Sequence, residues 1–352
     1  MLNDRIEHRW IEAFEKTFAL CAMGDGEPVA ILSETQSRDL TVHLAELALL
    51  KLGARPFHLK LSTPPQTAPV PIRSTGASLA IQQLDPVIQA LTHCPAIVDC
   101  TVEGLLHAPE LPAILKSGSR VLMVSNEHPD ALERLVPDPA IKPRVQAAVR
   151  KLREASQMQV TSSAGTALEI DLRDTPAVGV WGFTERPGTI AHWPGGLVVT
   201  FPKEGTVNGT LVLDAGDMNL TFKRYLESTV TLTIEKDYVT AIDGEGTDAE
   251  LMRRYFSAWD DDAAYATSHV GWGMNPAARY EALALYDQRD TNCTELRAFA
   301  GNFLYSTGAN EFAGRYTEGH FDLPVRACTI SLDGELVVVD GKLIPELAGE
   351  SS

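Results

Sequence analysis

The chain has little cysteine. Five are spread over 352 residues, at positions 21, 94, 100, 293 and 328, an odd number with no CxxC pair. That excludes a zinc ribbon and argues against a disulfide framework, and it fits a reducing compartment. No stretch approaches the roughly 20 apolar residues that span a bilayer. The charged first residues, Met1-Leu-Asn-Asp-Arg-Ile-Glu-His, have no apolar run of signal-peptide length. The cytoplasm is the expected location. Positive charge is also scarce. Thirty Lys and Arg stand against 47 Asp and Glu, a net charge of −17, which disfavours nucleic acid or an anionic membrane as a partner. No internal repeat or low-complexity tract occurs.

The composition is that of an ordinary globular protein, 44% hydrophobic and 22% charged. The length predicts two domains, each large enough for its own core. Over the first 150 residues, helical and strand-like segments alternate. Apolar residues at helical spacing run from Ile6 to Cys21 and from Leu40 to Leu52, the second ending at Gly53. Short apolar runs at 28–33, 55–61, 96–101 and 120–125 read as strands, and Thr63 to Pro71 as a surface loop. Such alternation predicts an α/β domain over 1–155 with a mostly parallel sheet, whose ligands bind beyond the carboxyl ends of the strands. His107 lies just after one such end. A basic helix from Ile141 to Gln159 is expected to join the halves. From Val160 the pattern changes to period two, at 168–172, 197–201, 209–213, 230–234 and 238–242, which predicts antiparallel strands in a second domain over 156–352. A helix is expected over 247–264 with Thr247 as its N-cap, and a hairpin turning at Asp333-Gly334.

Two places could carry chemistry. In Glu318-Gly-His320-Phe-Asp322, His320 and Asp322 are two apart and share one face of a strand. In Ser268-His-Val-Gly-Trp-Gly-Met-Asn-Pro276, His269 precedes two glycines that suit a tight turn or a close backbone approach. Two histidines and one carboxylate make a facial triad for non-haem Fe(II). With a water they also make a catalytic zinc site, and the ligand set alone leaves both open.

These segments resemble, in order, those of the aminopeptidase T family of two-metal peptidases. Gly188-Thr-Ile-Ala-His-Trp-Pro194, His269-Val-Gly-Trp-Gly-Met-Asn275, Leu304-Tyr-Ser-Thr-Gly308 and His320-Phe-Asp322 fall where that family keeps its ligand segments. The ligands differ. Thr189 and His269 replace glutamates and Leu304 replaces a histidine, so the bridging carboxylates of a two-metal site are missing. The surviving set, His269, His320 and Asp322, resembles an offshoot of the same fold, the 2,5-dihydroxypyridine dioxygenases of nicotinate and nicotine breakdown. That resemblance implies a two-domain α/β architecture with a mainly antiparallel C-terminal half, and a homo-oligomer. It also implies Fe(II), and ring opening by dioxygen to N-formylmaleamic acid. A mononuclear metallohydrolase is the alternative on the same fold. His107 and His192 are the expected base and substrate or oxygen contacts, with Glu185 orienting such a histidine. Trp193 and Trp272 (with Trp181) are expected to wall the ring, and Tyr305, Ser306 and Thr307 to donate hydrogen bonds beside it.

Overall fold

A computed structural model describes residues 5–65 and 78–350. The N-terminal half is built on a parallel sheet ordered Arg55–Leu61, Pro28–Glu34, Ala96–Asp99, Arg120–Val124 and Ile190–Trp193. The central strands are apolar along most of their length because both faces are covered, and two of them end in the buried carboxylates Glu34 and Asp99. Phe14, Phe18 and Leu49, from the helices His8–Leu20 and Asp39–Lys51, pack in one core with Val29, Ile31 and Val98. Leu91 and Ile114 pack in a second core with Leu32 and Ile97. Gly53 closes the second helix at φ +77°, a left-handed turn that glycine adopts without strain. The last strand, 190–193, comes from beyond the expected domain boundary, so the two halves share a sheet.

The C-terminal half holds two large antiparallel sheets and a small two-stranded one, Met218–Asn219 with Arg224–Tyr225. Eight strands run from Tyr238–Asp243 at one edge to Lys342–Leu343 at the other. Five run in the order Arg315–Val325, Phe303–Asn310, Thr267–Gly273, Leu197–Thr200, Ala177–Val180. One large core joins them, with Met158, Val160, Leu168 and Leu232 from the first sheet and Val270, Trp272, Phe303, Tyr305 and Phe321 from the second. The Asp333-Gly334 hairpin forms as expected, both residues at positive φ.

Two expectations are corrected, and of the two readings of the glycines after His269 the close backbone approach holds. The basic helix ends at Glu154, and Gln157–Ser162 is already a strand whose Met158 and Val160 face the core. Here alternation prevails over the helical reading. The helix 246–258 has no side-chain cap, and Thr247 lies inside it. Asp248 instead accepts the Glu227 and Ser228 N–H groups. The glycines after His269 form no turn. Thr267–Gly273 is a fully buried strand, and a Cβ at Gly271 would lie 1.9 Å from the Val198 carbonyl oxygen. Glycine is required there by close approach of the neighbouring strand. Most of the 63–71 loop lies outside the described residues. Among the described residues, no helix is long and apolar enough to cross a membrane.

Candidate metal centre

The five-stranded sheet turns one face to the core and the other to a cleft against the parallel sheet. Strand register decides what stands in that cleft. His269 pairs with Ser306, and Ser306 with Asp322, so these three form a row across neighbouring strands. His320 lies two residues from Asp322 on the same face. The row places His269 Nε2 3.8 Å and His320 Nε2 3.3 Å from one oxygen, Asp322 Oδ1. One donor atom from each residue lies within 4.8 Å of the others, so the three could hold a single metal ion, and they are the one such group found among the described residues.

The surroundings suit that purpose. Ser268 donates its hydroxyl to the Ala309 carbonyl, so toward His269 Nδ1 at 3.1 Å its oxygen can only accept. His269 therefore carries its proton on Nδ1 and turns an Nε2 lone pair toward Asp322, as a metal-ligating histidine must. Burial lowers the His269 pKa to about 3, against the pull of Asp322. Burial would raise the Asp322 carboxyl, but His320 and Arg297 outweigh it and hold it well below the usual range. Ser306 Oγ donates to Asp322 Oδ1, and Arg297 Nε to Oδ2 at 2.5 Å. The donors are thus a carboxylate and a lone-pair nitrogen, both restrained from behind, with a second imidazole beside them.

Beside the triad is a chamber of about 140 Å³, opening onto an outer cavity of about 1210 Å³. Its walls are largely apolar, including Val178, Val180, Leu197, Val199 and Leu304, with Glu103, His107, His192, Asn292, Thr294 and Arg297 as polar groups beside the triad. His107 sits where the 100–107 loop passes over the sheet, its ring 5.8 Å from that of His320. Burial among the cleft walls, then His320, lowers its pKa to about 4. His107 faces the cavity, and the direction of the shift favours neutral imidazole. His192 is buried, with Nδ1 2.6 Å from the Pro194 carbonyl. That bond fixes its proton on Nδ1 and leaves Nε2 as an acceptor. Its pKa is lowered to about 4, mainly by burial.

Several expected contacts are elsewhere. Glu185 pairs with Lys142 and lines only the outer cavity, so the Pro194 carbonyl rather than Glu185 orients His192. Trp193 is buried in the N-terminal core, its indole bonded to the Leu135 carbonyl. Trp272 and Tyr305 are in the C-terminal core, and Tyr305 exchanges a hydrogen bond with Thr267. Thr307 is buried on that same far face. Of this group only Ser306 meets the site, through Asp322. Parity along each strand would have found this, since 272 is odd-spaced from 269, and 305 and 307 from 306. Trp181 lines the outer cavity under the Lys142 ammonium. Arg297 was missed. It follows a short irregular segment, and only the fold carries it to Asp322. Glu127 fixes that segment by accepting the Thr291 hydroxyl and the Asn292 and Thr294 N–H groups.

Comparison with known proteins gives one consistent result. The model of the NicX family, 2,5-dihydroxypyridine 5,6-dioxygenase, matches residues 9–345. The chain is 37% identical over 343 residues to the 2,5-dihydroxypyridine 5,6-dioxygenase of Pseudomonas putida, covering 95% of each chain. The solved structure of the 2,5-dihydroxypyridine dioxygenase from Pseudomonas putida KT2440 superposes with a TM-score of 0.90 at 37% identity, over 96% of this chain and 98% of that one. Wild-type AmpT from Thermus thermophilus shares the fold alone, with a TM-score of 0.65 at 14% identity over 96% and 99% of the two chains.

Proposed function

Because the chain belongs to the 2,5-dihydroxypyridine 5,6-dioxygenase family, we propose that it is an iron(II)-dependent enzyme that opens the ring of 2,5-dihydroxypyridine with dioxygen to give N-formylmaleamic acid. The observation that carries this is the convergence of His269, His320 and Asp322 on one point beside a small apolar chamber. Cavities on the order of 150 Å³ accept a single benzene-sized ring, which matches this substrate and excludes a peptide at that depth.

His269, His320 and Asp322 would hold the metal beside the chamber. Iron(II) held there would supply Lewis-acid and dioxygen chemistry. The chain's own groups do the rest. The ring's hydroxyls lie para to each other and cannot chelate, so the walls Val178, Val180, Val199 and Leu304 must set its plane. His107, neutral and beside His320, takes a hydroxyl proton. His192 Nε2 accepts a hydrogen bond from the ring's opposite side. Arg297 keeps Asp322 ionised. The apolar walls exclude bulk water, which protects the reacting ring.

A two-metal hydrolase is disfavoured because Leu304 is an apolar wall residue and Thr189 bonds the Arg186 carbonyl. A place in nicotinate or nicotine breakdown, a homo-oligomer and a cytoplasmic location belong to the same proposal, and light scattering of the purified protein reads the assembly. The activity is tested by anaerobic loading with Fe(II), then measuring oxygen uptake with 2,5-dihydroxypyridine. Zn(II)-loaded and metal-free protein serve as controls. Iron-dependent uptake of about one O₂ per ring, a dioxygenase acting through its metal, supports the reading. No uptake with a fully loaded site refutes it.

A further inference from the structure

We propose that two buried carboxylates, Asp99 and Glu34, are positioning residues that latch the 100–107 loop and so hold His107 at the chamber. The inference rests on the role given to His107 above. Asp99 ends one strand of the parallel sheet and Glu34 ends its neighbour. Beyond Asp99 the chain forms no helix or strand to satisfy its N–H groups until residue 111, and buried donors need partners. Asp99 supplies two of these partners and Glu34 a third. Its Oδ1 accepts the Thr101 N–H at 2.9 Å and the Thr101 hydroxyl at 2.7 Å, and its Oδ2 accepts the Leu105 N–H at 2.7 Å. The Thr101 hydroxyl oxygen in turn accepts the Gly104 N–H. Glu34 Oε1 accepts the Val102 N–H at 3.2 Å and the Ser78 hydroxyl at 3.0 Å. Ser78 closes the ring through its N–H to the Gly104 carbonyl at 2.8 Å. Asp99 and Glu34 are 0% and 2% exposed.

The loop has little freedom left. Gly104 has φ +80°, and a Cβ there would lie 2.0 Å from the Met123 sulfur, so the chain passes close over a chamber-wall residue. Leu106 and His107 follow at once and form the wall itself. His107 has no hydrogen bond of its own among those described, so its place is set through the loop backbone, which these carboxylates hold. The metal-holding groups hang from the other sheet, so the latch can be loosened without touching them.

The test uses the Fe(II)-loaded full chain. Asp99→Asn keeps the shape but replaces an acceptor oxygen with an NH₂ group facing N–H donors. Ser78→Ala removes a single link and serves if the first variant folds poorly. Hydrogen exchange over 101–107, iron content and kcat are measured, alone and combined with His107→Ala. The expected result is faster exchange confined to that loop with unchanged iron. The kcat should fall by about 10- to 100-fold, the scale for a displaced catalytic group, with little further loss in the His107→Ala background. Unchanged exchange with a slow His107→Ala enzyme overturns the latch alone, and so does an equal loss of kcat in both backgrounds. If His107→Ala turns over normally, the role of His107 falls and this proposal with it.

Discussion

Replacing Asp322 by asparagine removes one charge and tests how the site is held together. Asp322 is 3% exposed and accepts from Ser306 Oγ and from Arg297 Nε at 2.5 Å. An asparagine has one acceptor oxygen where the carboxylate has two. Its NH₂ group must then face Ser306 or Arg297, both of which are donors there. The buried Arg297 guanidinium also loses its counter-charge. Leaving one partner of a buried ion pair uncompensated costs about 3–5 kcal/mol. Urea unfolding of metal-free wild type and Asp322→Asn at pH 7 should differ by about that much, and Ser306→Ala should cost about 1–2 kcal/mol, one hydrogen bond to a charged group. The native carboxyl is held below its unfolded value. Its contribution is therefore present above the unfolded pKa of about 3.9 and is lost as pH falls below that toward the native value. The gap between the proteins should persist from pH 8 to pH 5 and shrink only below about pH 4. A difference under about 1 kcal/mol at pH 7, the range of an exposed pair, would mean that Arg297 does not depend on Asp322, and would refute the reasoning.

His107→Ala should keep its iron and lose about 10²–10⁴-fold in kcat, the usual worth of a general base; an unchanged kcat removes it from the mechanism. Ser268→Ala removes the acceptor that fixes the His269 tautomer and should weaken iron binding by about 10- to 100-fold, measured by competition with a chelator. His192 and His269 have native pKa values of about 4 and about 3, below the unfolded value of about 6.5. Unfolding of the metal-free protein at pH 5 should therefore take up about two protons from these groups, so stability falls as pH drops below about 6.5. A pH-independent stability between 7 and 5 would contradict their burial as neutral rings. Trp272→Phe should lower stability but leave the KM for the ring unchanged, because Trp272 faces the core and not the chamber.

Much of this was legible before the fold was known. Hydrophobic patterning located the parallel sheet and the antiparallel half, and the Asp333-Gly334 turn located the hairpin. His320 and Asp322 could be paired from spacing alone. His269 was singled out by the glycines that follow it, and the order of segments tied it to the other two. The errors came from two sources. Side chains beside His269 and Ser306 were assigned to the site by proximity in sequence, whereas strand alternation sends Trp272, Tyr305 and Thr307 to the other face. The groups that restrain the site are long-range. Arg297, Glu127 and Asp99 act through partners on other elements or on irregular backbone, where no periodicity announces them. The strand 190–193 completes a sheet begun some 160 residues earlier, a pairing that local pattern does not encode.

The central claim is a single metal site made by three named residues. It is tested most directly by metal analysis of wild type, His269→Ala, His320→Ala and Asp322→Ala after anaerobic loading with Fe(II) and removal of free metal. The account predicts one iron per wild-type chain, and none retained by any of the three variants, each still folded by circular dichroism. Two metals per chain, or near-normal iron in a folded variant, would contradict it.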